Sequence, residues 1–379
     1  MSRHRQHGRY SSRGPDRHPN IMVSQVLMFP SCRPGRMISR RGSDTCANQT
    51  YGDPILFKAP GTSRFFFQNV KGLTHTSSKE DYRYFLSAMA SYSVDVFGMA
   101  ETNTGWQHRH LQTDFQTCVN RQFHFGKTVF GYSSAEVDPL PVSETFQAGG
   151  TAQVVQGNIT TSIHGKPIED PSGLGRWCGV SLMGKREQKF SVVTGYRSCT
   201  GSIHTAPLGS TFHREYMYFR EKGEQQPNPR KRFFDDLSLL IHQLQQHDHA
   251  VMVMLDANST LDSDRALMDF MDSNDLHDLH QSAPAPSTYI GAQQRRIDFI
   301  LGCSRTKEAL SRQGTLSYFE GPQSDHRGLY VDINLKQLFG FQRRIYPWQE
   351  QTDVISREEI RNFSNNIFLP CGTTIINTI

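Results

Sequence analysis

The sequence predicts a single α/β (α+β) domain over residues 61–336, with sheets inside and helices outside. Three observations predict it. Short apolar runs alternate with stretches whose apolar residues recur at helical spacing. The apolar runs end in polar residues, as strands do when they open into loops. No internal repeat and no glycine-rich phosphate loop of the Gly-x-Gly-x-x-Gly or Gly-Lys-Ser/Thr kind interrupts the pattern.

The elements follow in order. Arg64–Val70 reads as a strand through Phe65, Phe66 and Phe67. Lys79–Tyr92 reads as a helix, because Tyr82, Phe85, Leu86 and Met89 fall at i, i+3, i+4 and i+7. Val94–Ala100 is the next strand and Gln107–Phe125 a weaker helix. Thr151–Gln156, Trp177–Met183 and Lys189–Tyr196 are strands separated by glycine-rich turns such as Gly149-Gly150. Residues 200–229 form a long polar loop with a short helix near Phe212–Phe219. A strong helix spans Lys231–Gln246, with Phe233, Phe234, Leu237, Leu240, Ile241 and Leu244 on its buried side. Ala250–Leu255 is a continuous apolar strand, Ser263–Met271 a helix, and Ile297–Gly302 and Leu329–Ile333 the last strands.

The flanks differ in composition. Residues 1–60 read as a disordered Arg-rich tail, and residues 337–379 as an extension whose segment Ser356–Phe363 has helical patterning. Nine arginines and two acids fall in residues 1–50, while the rest of the chain carries 32 bases against 34 acids. The formal charge of +5 therefore belongs to the tail, which suits a nuclear address or a nucleic-acid tether. Its Arg- and Ser-rich start has a weak likeness to an organelle transit peptide, although Gly8, Gly14, Pro15 and Pro19 disfavour the helix such a peptide forms. A near-neutral body excludes nucleic-acid binding by overall charge. Phosphate contacts would have to be local, with Arg197, Arg230, Lys231, Arg232 and Arg327 the candidates. Seven scattered cysteines without Cys-x-x-Cys spacing point to a reducing compartment, nuclear or cytoplasmic, rather than a disulfide framework or zinc site. No apolar run approaches a membrane span. No protein partner is legible, and a monomer is expected.

Candidate catalytic groups fall at strand ends, where sites in layered α/β folds are built. Asn69 ends the first strand and Glu101 follows Val94–Ala100; each also reads as an ordinary loop-entry residue. Asp256 and Asn258, two apart, would share one face of an extended chain, so that one accepts a proton while the other donates to a phosphoryl oxygen. An Asx turn closing the strand is the competing reading. Asp298 lies inside an apolar strand and needs a partner: His326 or a surface pairing with Arg296. In Asp325-His326 neighbouring side chains diverge, one toward a metal and one toward a phosphate. Tyr196, ending its strand, offers a hydroxyl. The other histidines, including His242, His247, His249, His277 and His280, lack metal-ligand spacing and read as surface or incidental.

Taken together, Gln68-Asn69-Val70-Lys71-Gly72-Leu73, Glu101-Thr102-Asn103, Tyr196-Arg197, Asp256-Ala257-Asn258, Arg296-Ile297-Asp298-Phe299-Ile300 and Ser324-Asp325-His326 resemble the ordered motifs of the endonuclease/exonuclease/phosphatase superfamily. The resemblance implies a DNase I-like four-layer sandwich, two mostly antiparallel sheets flanked by helices. It implies phosphoester hydrolysis with Mg2+, Mn2+ being a substitute. Carried over by motif, Glu101 would be the principal metal ligand, helped by Asn69 and Asp325. Asp256 would position or deprotonate water, Asn258 and Tyr196 would hold the phosphate, and Asp298–His326 would stabilise the transition state. The Asn-Val-x-Gly-Leu opening and the Arg-Ile-Asp-Phe-Ile strand are most similar to endonuclease domains of non-LTR retrotransposons, as is Thr288, which implies a DNA substrate. Lys71 departs from the acidic residue many abasic-site endonucleases carry there. A phosphatase of the same fold and a catalytically silent nucleic-acid-binding module are the alternatives.

Overall fold

The computed structural model describes residues 45–73, 79–134, 145–199, 201–280, 286–291 and 294–339. The Arg-rich region up to residue 44 and the segment Ser356–Phe363 lie outside these. In chain order the strands are β1 (Tyr51–Gly52), β2 (Thr62–Asn69), β3 (Val96–Ala100), β4 (Gly126–Gly131), β5 (Thr151–Gln156), β6 (Ile163–Glu169) and β7 (Trp177–Met183). They continue with β8 (Lys189–Tyr196), β9 (His249–Asp256), β10 (Leu276–Asp278), β11 (Asp298–Cys303), β12 (Leu310–Thr315) and β13 (Leu329–Asn334). The helices are α1 (Glu80–Ser91), α2 (Arg109–Gln122), α3 (Thr211–Glu221), α4 (Pro229–Gln246), α5 (Arg265–Ser273), α6 (Ser304–Glu308) and α7 (Leu335–Phe339).

Two sheets form, ordered β1-β12-β13-β2-β3-β5-β4 and β10-β11-β9-β8-β7-β6. Only β2–β3 and β8–β9 pair in parallel among the described strands. The alternation of side chains along each strand explains the layering. Phe65 and Phe67 of β2 enter a core shared with Val192 of β8 and Met252 and Met254 of β9, between the sheets. Phe66 points the other way, into a layer with Tyr82, Phe85 and Met89 of α1 and Phe115 of α2. Val251, Val253 and Leu255 of β9 turn outward against Phe233, Phe234, Leu237 and Ile241 of α4. Strands covered on both faces have no polar side to show, which is why β9 reads as an unbroken apolar run and β2 carries three successive phenylalanines.

Most predicted elements are present with ends shifted by a few residues. The helix predicted from Lys231 begins at Pro229, because Asn228 caps it by accepting the Lys231 N–H (3.0 Å) and proline suits the first helical turn. The strands that escaped prediction, β1, β4, β6, β10 and β12, are short or rich in polar residues and glycine. β6 is an edge strand, largely exposed, with Pro167 within it.

Buried charge is paired across the ladders. Arg64 on β2 faces Asp332 on β13 in register and makes a two-pronged ion pair, 2.7 and 2.8 Å. His280 is not the surface residue expected. It is buried, with Nε2 3.2 Å from the carbonyls of Gly314 and Tyr330, which fixes its proton on that nitrogen. Burial drives its pKa down to about 4, despite the nearby charge of Asp278. The unfolded chain would bind a proton near pH 6.5, so the stability contributed by neutral His280 is lost as pH falls from 6.5 to 4. The slope is at most about 1.4 kcal/mol per pH unit. Urea denaturation of His280→Gln should show a flatter acid limb than wild type; an unchanged slope would refute this assignment.

Gly98 in β3 marks where the sheets approach most tightly. A Cβ there would overlap Thr194 Oγ1 and Met254 Cε of the opposite sheet. Gly98→Ala should destabilise the fold by about 1–3 kcal/mol through overpacking, read from the denaturation midpoint.

Candidate active site

The strand ends bring the predicted groups together from both sheets. β2 and β3 run in parallel with Asn69 opposite Ala100, so Asn69 and Glu101 leave the first sheet side by side. In the second sheet Asp256 lies in register with Tyr196 on one side and Asp298 on the other. The Asn69 amide joins the two sets: Nδ2 donates to Glu101 Oε2 at 2.9 Å and to Asp256 Oδ2 at 2.7 Å. Its oxygen accepts the Lys71 N–H at 2.9 Å, so both amide hydrogens and one of the two oxygen lone pairs are engaged.

Asp298 Oδ2 holds His326 Nδ1 at 2.7 Å, and both residues are buried. Arg296 pairs instead with Asp278 at 2.5 Å, which removes the surface-pair reading of Asp298. Burial alone would lower the His326 pKa, but the charge and hydrogen bond of Asp298 outweigh it and carry it up to about 9. At neutral pH the imidazole is therefore a cation. Asp256 is fully buried, and desolvation followed by the Asp298 charge pushes its carboxyl up to about 7. Burial raises the Tyr196 hydroxyl well above its ordinary value, with the charges of Glu101, Cys199 and Asp256 adding to it, so it stays protonated.

One expectation needs correcting. β9 ends at Asp256, and Asn258 has φ +49°, so the two do not share an extended face. Asn258 closes an Asx turn: its N–H donates to Asp256 Oδ1 (2.9 Å), and its amide Nδ2 donates to the Arg197 carbonyl (2.7 Å). Asp325 faces Lys71 Nζ at 2.5 Å. The basic candidates also divide. Arg197 is buried, held by Asp264 (2.5 Å) and Ser259 (2.9 Å) over the Phe234 ring; Arg327 is buried over Tyr318 and donates to the carbonyls of Gln49 and Leu316. Neither guanidinium faces solvent to meet a phosphate.

Gln68, Thr288 and Ser324, legible in sequence only as parts of a motif or likeness with no role attached, hold these groups in place. Ser324 Oγ donates to the Asn69 carbonyl (2.6 Å) and accepts the His326 N–H (3.1 Å). Gln68 Nε2 donates to the His326 carbonyl at 2.9 Å, tying the same loop to β2. Thr288 Oγ1, fully buried, accepts the N–H groups of Ile297 (3.0 Å) and Asp298 (3.1 Å). The signal for Thr288 and Ser324 is a hydroxyl beside an apolar strand or a catalytic-type pair, too common in sequences to stand out. Lys71, Glu101, Asn103 and Asn258 all adopt left-handed backbone, uncommon for residues other than glycine, and all sit in these loops.

The oxygen-rich set suits a hard divalent cation. Glu101 and Asp256 meet across one amide, and Asp298 Oδ1 is buried without a hydrogen-bond partner. One ligand atom each from Asp256, Asp298 and His326 lies within 4.8 Å of the others, but the protonated imidazole already serves as counter-charge there. Removing the Thr288 hydroxyl should loosen the Asp298–His326 pair. In Thr288→Val the His326 pKa should fall by a unit or more, followed by imidazole NMR titration; an unchanged titration would show that Thr288 does not position the pair.

No family model and no curated protein matches the chain. Solved structures do. The AP endonuclease LMAP from Leishmania major superposes with a TM-score of 0.52 at 13% identity, covering 72% of this chain and 87% of that one. The human nocturnin catalytic domain gives 0.48 at 17% identity, covering 76% and 97%. The endonuclease domain of TRAS1, a telomere-specific non-LTR retrotransposon, gives 0.46 at 12%, covering 73% and 99%. With its two helix-flanked sheets, the chain has the DNase I-like fold.

Proposed function

We propose that the protein is a Mg2+-dependent phosphodiester hydrolase acting on DNA as an endonuclease, with Mn2+ able to substitute. The observation that carries this reading is the Asn69 amide drawing Glu101 and Asp256 together beside the Asp298–His326 pair. Each residue then has a task its surroundings suit. Asp256, with its carboxyl near 7, orients the attacking water and takes its proton. The His326 imidazolium, held by Asp298, donates toward the phosphoryl oxygen as negative charge grows there. Tyr196 stays a proton donor through its raised pKa and offers its hydroxyl to the same phosphate. Asn258 supports the site through its turn, and its amide reaches a phosphate only by leaving the Arg197 carbonyl.

Glu101 is the residue we assign to the metal, with Asn69 and Asp325 completing the set once Asp325 parts from Lys71. The bound cation supplies Lewis-acid stabilisation of the phosphoryl oxygens. Glu101→Gln should weaken Mn2+ binding about tenfold or more by electron paramagnetic resonance titration, with the melting temperature little changed. Equal Mn2+ affinity would remove Glu101 from the metal site.

Plasmid nicking with Mg2+, and its loss in EDTA, tests the activity. Asp256→Asn and His326→Ala should each lower turnover by about 10²–10⁴-fold while the variants stay folded. A wild type that hydrolyses a soluble phosphomonoester and leaves plasmid intact would favour the phosphatase reading; one that binds DNA and cuts nothing would favour the silent module.

A further inference from the structure

The long segment between β8 and α4, a polar loop whose short helix expected near Phe212–Phe219 is α3, builds a second feature beside the strand ends. A cavity of about 730 Å³ opens between residues 201–203, α3 and the start of α4. That volume is within the range of small-molecule sites, about 300–1,000 Å³. One wall is aromatic: Phe212 and Tyr216, one helical turn apart on α3, present roughly parallel rings with centroids 6.4 Å apart and an interplanar angle of 26°. Another wall is basic, with Arg230 and Lys231 from the first turn of α4 and Arg197 behind them.

The cavity is continuous with the catalytic loops through Arg230. Its guanidinium donates to the Ser198 carbonyl, just beyond Tyr196, and to the Asn258 carbonyl at 3.2 Å, two residues beyond Asp256. The buried Arg197 pairs with Asp264 at 2.5 Å, and Arg230, its side chain largely buried, lies 3.5 Å from the same carboxylate, so the two guanidiniums share one counter-charge beside the cavity. Lys231 is largely exposed and its ammonium meets only the half-exposed Asp235, a pairing that solvent weakens. Flat rings beside cations next to a phosphate-handling centre suit one kind of occupant. A nucleobase stacks on the rings while the phosphate of the same strand lies against the cations.

We propose that this cavity is a subsite for the nucleotide flanking the scissile phosphate, with its base against Tyr216 and Phe212 and its backbone along Arg230 and Lys231. The subsite rests on the hydrolase reading for its alignment with Asp256, but its occupancy can be measured without turnover. It makes α3 and the loop before it a reader of a single strand, distinct from the residues that would do the chemistry.

The test is fluorescence anisotropy of a short labelled single-stranded DNA with the full chain in EDTA, alongside plasmid nicking in Mg2+. Tyr216→Ala should weaken DNA binding about ten- to a hundredfold, and Tyr216→Phe, which keeps the ring, should bind like wild type. Tyr216→Leu fills similar space without a π face and should bind as weakly as the alanine variant with the melting temperature held. Lys231→Ala should lower the slope of log affinity against log salt by about one. Unchanged affinity in Tyr216→Ala, or weak binding in Tyr216→Phe, overturns the subsite whether or not wild type nicks DNA. A ring-dependent loss of affinity in a protein that never nicks supports the subsite and removes the hydrolase reading instead.

Discussion

Asn69 is the side chain on which the arrangement of polar groups depends, because its amide touches both sheets at once. Asn69 and the Asp256 it reaches are 187 positions apart along the chain. Two apolar sheets pressed face to face have no intrinsic reason to set their strand ends at the same height. The hydrogen bonds from Asn69 to Glu101 and Asp256 make that alignment specific, and the Ser324 and Gln68 bonds extend it to the loop bearing His326. An amide is well chosen for the task. It can donate to two carboxylates without adding a charge, where a lysine would neutralise them and a leucine would leave them buried and unsatisfied.

The same alignment governs electrostatics. Asp256 and Asp298 are neighbours across β9 and β11, both fully buried, and two bare carboxylates so placed would repel. Protonated His326 on one side and a carboxyl on Asp256 that ionises only near neutrality relieve that repulsion together. The strained backbone of Lys71, Glu101, Asn103 and Asn258 belongs to the same picture. Such conformations persist where neighbouring hydrogen bonds over-determine them, as the ladder-like bonds from Val70, Gly72 and Leu73 to Ala100, Glu101 and Thr102 do here.

Legibility in the sequence followed burial. β2, β9, α1 and α4 were readable because a central strand or a one-sided helix leaves a strong apolar period. β4 and β6 were not, because each is an edge strand with one ladder neighbour, β6 largely exposed and β4 only partly covered, so neither leaves a strong apolar period. Among the polar residues, Asp256, Asp298 and His326 stood out through the apolar runs around them or the motif they completed, and the structure brings them into one cluster. The burial of Arg197 and Arg327 and the structural role of His280 had no local signature. Each is decided by partners far away in the chain, such as Asp264 for Arg197 and the Gly314 and Tyr330 carbonyls for His280. A list of residue types cannot separate a solvent-facing arginine from one anchored under an aromatic ring.

The long sequence separation across the Asn69 bridge has a consequence for how this protein comes into being. Contacts that far apart form late, after the chain has already surrendered much of its freedom. Each sheet by itself carries only part of the cluster, Asn69 and Glu101 on the first and Tyr196, Asp256 and Asp298 on the second. A newly made chain therefore lacks the assembled cluster until both halves have docked, and losing either half takes the whole arrangement apart.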